Sequence, residues 1–284
     1  MHNNIESNAK TLKLAYIKTN FKEIIKEAVH TDMDCCEFLN LLLENEVNAR
    51  KKNSIKTKMR AAKFNEIRYL EDYDISVFDK EIQKNIKILK DLSFIDRKEN
   101  IILFGNPGVG KSHLATALGV KACMENKNVL FVNVPNLIIE LKEAMSQNQV
   151  HRYKKQFQKY DLVILDELGY ISFDKEGSEI LFNLLSNRNE QGSIIITTNL
   201  IFERWEEIFK DPILTGAVVD RLAHKAHILN LSGESYRIKE TEKMLKKWSG
   251  TLFNRNRGTL FDWQIHLKHG YQTNRSFLLG LLSK

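Results

Sequence analysis

Gly105-Asn106-Pro107-Gly108-Val109-Gly110-Lys111-Ser112 is the stretch that decides the fold. It follows the pattern G-x-x-x-x-G-K-[ST], a loop that cradles phosphates. Its glycines let the backbone turn sharply and bring N–H groups close to anionic oxygens. Its lysine is placed for β- and γ-phosphates and its serine hydroxyl for Mg²⁺. A helix after the loop would aim its N-terminal dipole at the anion.

The flanks agree. Ile101-Ile102-Leu103-Phe104 is a short apolar run of the kind that forms a buried parallel strand. Ser112 to Met124 reads as a helix, with Leu114, Ala115, Leu118, Val120 and Ala122 and no proline. Strand, loop and helix in that order are the context a phosphate loop requires.

Apolar runs recur at 101–104, 129–132, 162–165, 194–196 and 226–229. Helical stretches are expected between them at about 112–125, 136–147, 175–189 and 202–221. This alternation predicts an α/β fold, a parallel sheet covered by helices. Periodicity does not give its strand order.

Two of these runs end in polar residues. Leu162-Val163-Ile164-Leu165 is followed by Asp166-Glu167, and Ile194-Ile195-Ile196-Thr197-Thr198 by Asn199. Beside a phosphate loop, Asp166 would share Mg²⁺ with Ser112 and Glu167 would orient an attacking water. Asn199 would hydrogen-bond the γ-phosphate or that water. Arg221 and Arg237 stand further on, and spacing alone assigns them no role.

The whole chain sets bounds. Its 284 residues are 43% hydrophobic, enough for a real core in one large domain or two unequal ones. No apolar run approaches the length of a membrane span, and the first residues lack a signal-peptide core. A cytoplasmic location without membrane contact is expected. Cys35, Cys36 and Cys123 form no C-x-x-C pair, so they are expected to be small buried residues. The net charge of +7 makes nucleic acid a plausible partner class.

The first part of the chain differs from the rest. Leu14, Ile17, Phe21, Ile24, Ile25 and Ala28 recur at helical steps. A break falls at His30-Thr31-Asp32, where Thr31 and Asp34 offer a helix start. Phe38, Leu39, Leu42 and Leu43 then give a second stripe. Between 50 and 68, Arg50, Lys51, Lys52, Lys56, Lys58, Arg60, Lys63 and Arg68 face one acid, Glu66. The expectation is a small helical module over 1–70 whose residues Arg50, Lys51, Lys52, Lys56, Lys58, Arg60 and Lys63 contact DNA backbone.

Several short motifs together carry a resemblance. They are Arg68-Tyr69-Leu70-Glu71-Asp72-Tyr73-Asp74, Phe94-Ile95, Gly110-Lys111-Ser112-His113, Leu165-Asp166-Glu167-Leu168-Gly169-Tyr170, Thr197-Thr198-Asn199, Asp220-Arg221-Leu222 and Gly233-Glu234-Ser235-Tyr236-Arg237. From about Leu12 to Lys247 the chain resembles the IstB-like ATP-binding proteins. These are AAA+ helper ATPases encoded beside a transposase in bacterial insertion sequences, related to DnaC-type helicase loaders.

The resemblance implies an AAA+ P-loop domain over 71–247, with ATP and Mg²⁺ as cofactors and His113 added to the nucleotide-binding loop. It implies that Arg221 is an arginine finger entering a neighbouring subunit's site and that Arg237 senses the γ-phosphate of its own. It further implies a homo-oligomer joined through ATP interfaces, double-stranded DNA and a cognate transposase as partners, and ATP hydrolysis in aid of target selection. A replicative-helicase loader is the alternative; many loaders carry an N-terminal cysteine cluster that this chain lacks. Residues 248–284 depart from the family pattern and are expected to be a flexible extension, with an accessory helix as the alternative.

Overall fold

All five apolar runs form strands in the computed structural model: β1 (Asn100–Phe104), β2 (Val129–Asn133), β3 (Leu162–Leu168), β4 (Ser193–Thr198) and β5 (Ala226–Asn230). They pair in parallel in the order β2-β3-β4-β1-β5. The loop-bearing strand β1 thus lies between β4 and β5, far from it in sequence. Alternation along each strand divides the core between two faces. Ile101 and Leu103 join one apolar cluster, while Ile102 joins the other.

The structure describes residues 2–188, 191–233, 235, 236, 238 and 241. Met1–Tyr236 form one compact unit. Arg237 and the tail at 248–284 lie outside the described residues.

Three helices lead the chain: α1 (His2–Thr11), α2 (Ala15–His30) and α3 (Cys35–Ala61). Then come α4 (Lys80–Leu89) and α5 (Ser93–Asp96) before β1, and α6 (Lys111–Met124) after it. The sequence pattern had not marked α4 or α5. Between β2 and β3 lie α7 (Val134–Ser146) and α8 (Val150–Phe157), the second also unexpected. α9 (Lys175–Ser186) precedes β4.

The stretch expected as one helix over 202–221 is three pieces: a 3₁₀ turn at Phe202–Arg204, α10 (Glu206–Phe209) and α11 (Pro212–Ala223). The break has a local cause. Lys210 turns left-handed at φ 55°, and Asp211 then caps α11 by accepting from the Leu214 N–H, with Pro212 in the first turn.

Helix α6 has no polar face because it needs none. Ten of its residues are buried, from Lys111 to Cys123. A helix apolar on every side belongs inside a protein. At Gly119 an added Cβ would meet Ile164 at 2.6 Å and the Phe64 ring at 3.0 Å. Glycine therefore lets α6 rest on β3 while Phe64, just past α3, covers it from outside.

The N-terminal helices correct three sequence expectations. Thr31 does not start α3; its hydroxyl donates back to the Glu27 carbonyl at the end of α2. Asp34 is the cap, accepting from the Cys36 and Glu37 N–H groups, with Glu37 closing a capping box. Leu39 and Leu43, expected in the buried stripe, are exposed. Cys35 and Cys36 are exposed too, and only Cys123 is buried. The cysteine pair stands in the first turn of α3, which packs little at that end. Burial pushes the Cys123 thiol up to about 11.

Candidate functional site

The loop between β1 and α6 holds its shape through three positive-φ glycines: Gly105 (142°), Gly108 (83°) and Gly110 (96°). Side chains at these positions would collide with neighbours as well as strain the backbone. A Cβ on Gly105 would lie 2.2 Å from the Leu231 carbonyl oxygen, and one on Gly108 2.1 Å from Ser235 Oγ. Gly110 is the N-cap of α6, so first-turn N–H groups face the concavity of the loop. Lys111 Nζ curls back and donates to the Gly105 and Asn106 carbonyls, both at 2.8 Å.

The strand ends supply acids beside the loop. Asp166 is buried, and its Oδ1 accepts from Ser112 Oγ at 2.7 Å and Thr197 Oγ1 at 2.5 Å. One carboxylate thus ties α6, β3 and β4 together. The Glu167 N–H donates to Thr197 Oγ1 at 3.0 Å. Glu167 itself has φ 65°, a costly conformation for a non-glycine residue, and β3 shifts register between Leu165 and Leu168 around it. Its carboxylate accepts a hydrogen bond from Asn133 Nδ2 at the end of β2. Asn199 Oδ1 is buried without a hydrogen-bond partner among the described residues. Orphaned acceptors of this kind are rare and mark places where a ligand or water is expected.

Ser112 and Asp166 present hard oxygen donors to one point, a pair suited to Mg²⁺ that completes its shell with phosphate oxygens and water. Among the described residues no three His, Cys, Asp or Glu side chains converge to hold a metal by themselves. The donor set therefore fits a cation carried with a triphosphate.

The sequence reading left Asn133 unmarked and gave Thr197 no role beyond its place in the Thr197-Thr198-Asn199 motif. Asn133 repeats a signal used elsewhere, a polar residue closing an apolar strand. Thr197 needed the register of β3 against β4, which no local pattern contains.

Arg221 lies on α11, where its guanidinium donates to Ser186 Oγ of α9 at 2.5 Å and stacks 4.5 Å from the Phe182 ring centroid. Its contacts are with α9, not with the loop of its own chain. His113 stands in the first turn of α6, its ring 5.1 Å from that of Tyr73.

The basic run divides. Arg50 Nε donates to Glu46 and its Nη2 to the Lys13 carbonyl, at 2.9 and 2.7 Å. Lys58 donates to the Asn126 carbonyl at the turn before β2. Lys51, Lys52, Lys56, Arg60 and Lys63 are exposed. Lys52, Lys56 and Arg60 recur every four residues on α3 and so form one row. Lys63 falls past the helix, at φ 60°. Among the described residues no helix is long and apolar enough to cross a membrane.

Comparisons with known proteins agree with this architecture. The chain matches the family model of IstB-like ATP binding proteins over residues 7–244. It is 37% identical to a Pseudomonas aeruginosa protein of insertion sequence IS21 named for ATP binding, over 82% of this chain and 88% of that one. A Geobacillus stearothermophilus protein of insertion sequence IS5376, named likewise, is 36% identical over 72% of this chain and 81% of its own. The AMPPCP-bound structure of DnaA from Aquifex aeolicus superposes with a TM-score of 0.50 at 16% identity, covering 75% of this chain and 62% of DnaA. The structure of DnaI gives 0.50 at 19% identity, covering 57% and 90%. These two likenesses concern the fold, an AAA+ α/β sheet. With its phosphate loop and its match along most of its length, the chain belongs to the IstB-like ATP-binding proteins, the AAA+ ATP-binding family of insertion sequences.

Proposed function

We propose that the protein is a Mg²⁺-dependent ATPase that assembles on double-stranded DNA as a homo-oligomer and assists the transposase of its insertion sequence in choosing target DNA. The arrangement of Asp166 and Glu167 carries the hydrolytic part. Asp166 touches the loop serine, and Glu167 sits one residue on, in a strained backbone that two neighbours brace.

In this reading Lys111 leaves the loop carbonyls for the β- and γ-phosphates, and the loop N–H groups bind the same oxygens. Ser112 and Asp166 would hold Mg²⁺, which would supply positive charge to the transferred phosphoryl group. Glu167 takes its place as the group that orients the attacking water and accepts its proton. Asn199 hydrogen-bonds that water or the γ-phosphate. Asn133 keeps Glu167 in position. Arg221 of one subunit completes the site of the next.

DNA contact is assigned to the exposed row Lys52, Lys56 and Arg60 with Lys51 and Lys63. Repetition in an oligomer would multiply weak, sequence-independent phosphate contacts. The test is Glu167→Gln. It should retain ATP and DNA binding while turnover falls by about two orders of magnitude or more. Undiminished turnover would remove Glu167 from the mechanism.

A further inference from the structure

Arg221 is held on α9 by groups that carry no charge. Its Nη1 donates to Ser186 Oγ at 2.5 Å, and its guanidinium lies 4.5 Å from the centroid of the Phe182 ring. Phe182 and Ser186 stand one turn apart on α9, both half-buried, beside the buried Leu181, Leu184 and Leu185. The Ser186 hydroxyl proton is already committed, because Oγ donates to the Phe182 carbonyl at 2.7 Å. The oxygen therefore meets the guanidinium as an acceptor.

This cradle stands on a fixed support. Two residues past Ser186, the fully buried Arg188 donates to the carbonyls of Phe157 at 2.9 Å, Tyr160 at 2.7 Å and Ser193 at 3.2 Å. These bonds pin the end of α9 to the end of α8, to the turn after it and to the start of β4. Phe182 and Ser186 thus keep their places through the packing of α9.

A neutral hold has a chemical consequence. Among the described residues no carboxylate pairs with Arg221, whereas Arg50, Arg68, Arg97 and Arg204 each pair with a glutamate. A carboxylate would offset the charge of the guanidinium and compete with a phosphate for its donor fork. A ring face and a hydroxyl do neither. The ring takes up no N–H group, and Ser186 takes a single one. Arg221 keeps its charge and most of its donors while its position is fixed.

We propose that Phe182 and Ser186 are positioning residues for Arg221: they fix where its guanidinium stands on α11 and leave its charge and remaining donors for the anionic transition state in the adjoining subunit. The inference rests on the reading of Arg221 as the group that completes a neighbouring site.

Steady-state kinetics of the assembled protein test it, with sedimentation confirming assembly. Phe182→Leu keeps apolar bulk but removes the ring face, and Ser186→Ala removes the acceptor. Each should lower kcat by about three- to tenfold and leave the KM for ATP unchanged. Phe182→Tyr keeps the ring and should stay within about twofold of the wild type. In single-turnover hydrolysis by Arg221→Ala, adding Phe182→Leu should cost nothing further. A loss of the same size in that background would mean that Phe182 acts through the fold rather than through Arg221, and would overturn the proposal. So would normal or raised turnover in both Phe182→Leu and Ser186→Ala while Arg221→Ala is slow; the shared site would then stand without its cradle. Undiminished turnover in Arg221→Ala removes the shared site and this inference together. Should Phe182→Leu fail to fold, Ser186→Ala decides the matter in the same two backgrounds, since it deletes a single oxygen at a half-buried position.

Discussion

The phosphate loop and helix α3 are both conspicuous in the sequence, yet folding treats them differently. In the loop, spacing and geometry coincide. Gly105, Gly108 and Gly110 have positive φ, and Lys111 and Ser112 follow at the helix start. In the run from Arg50 to Lys63, on α3 and just past it, seven basic residues that look equivalent in the sequence have different lives. Arg50 clasps the start of α2, Lys58 ties α3 to the turn before β2, and Lys52, Lys56 and Arg60 form an exposed row. A loop that binds through its own backbone is specified locally. A charge acquires its role from whatever the fold places next to it.

Three experiments would break or sharpen that contrast. The largest effect is expected at Arg221. Arg221→Ala should leave nucleotide affinity intact and reduce turnover of the assembled protein by roughly 10³–10⁵, about 4–7 kcal/mol in the barrier. Steady-state ATPase rates across protein concentration measure it. An assembled variant with normal turnover would return Arg221 to its contacts with Ser186 and Phe182 alone.

Next comes the row on α3. Replacing Lys52, Lys56 and Arg60 together with Ala should weaken DNA binding. The log–log salt slope should fall by up to about 2.7 per subunit, at about 0.9 for each lost phosphate contact. Removing Arg50 instead should leave that slope nearly unchanged and lower the melting temperature. Equal slopes for both variants would erase the division drawn within α3.

The smallest effect concerns Glu46, which is buried and accepts from the Tyr16 and Ile17 N–H groups at the start of α2. Glu46→Ala should cost about 2 kcal/mol in denaturant unfolding. Most of this belongs to the two backbone N–H groups, because Arg50 is 56% exposed and its ion pair is screened. Burial works to raise the Glu46 carboxyl, but the bonds from Arg50, Ile17 and Tyr16 outweigh it and leave its pKa lowered. A lowered pKa means the stabilisation is complete above the ordinary carboxylate value, near 4.3, and is lost as pH falls through the folded value. The gap between wild type and Glu46→Ala should therefore close in acid. A gap independent of pH would show that the charge contributes nothing.

The five strands were legible because each is a compact apolar run bounded by polar residues. Helices α4 and α8 were not, being short and rich in charged and polar residues. The cysteines went astray for a related reason. Cys35 and Cys36 have the composition of buried residues, but their end of α3 extends away from the core. In the site, Asp166, Glu167 and Asn199 could be read from strand ends. Thr197, Asn133 and Phe182 could not, because each matters only through a neighbour distant in the chain.

The sequence by itself determined the phosphate loop, the α/β alternation and the family, since these rest on residue spacing within single elements. Tertiary structure alone decided the strand order, which inserts β1 between β4 and β5. It also joined Asp166 to Ser112 and Thr197, braced Glu167 against Asn133 and brought Arg221 onto Phe182 and Ser186. The reason is physical. Backbone conformation and apolar periodicity are local properties, whereas a hydrogen bond between side chains dozens of residues apart exists only after burial has fixed which elements touch.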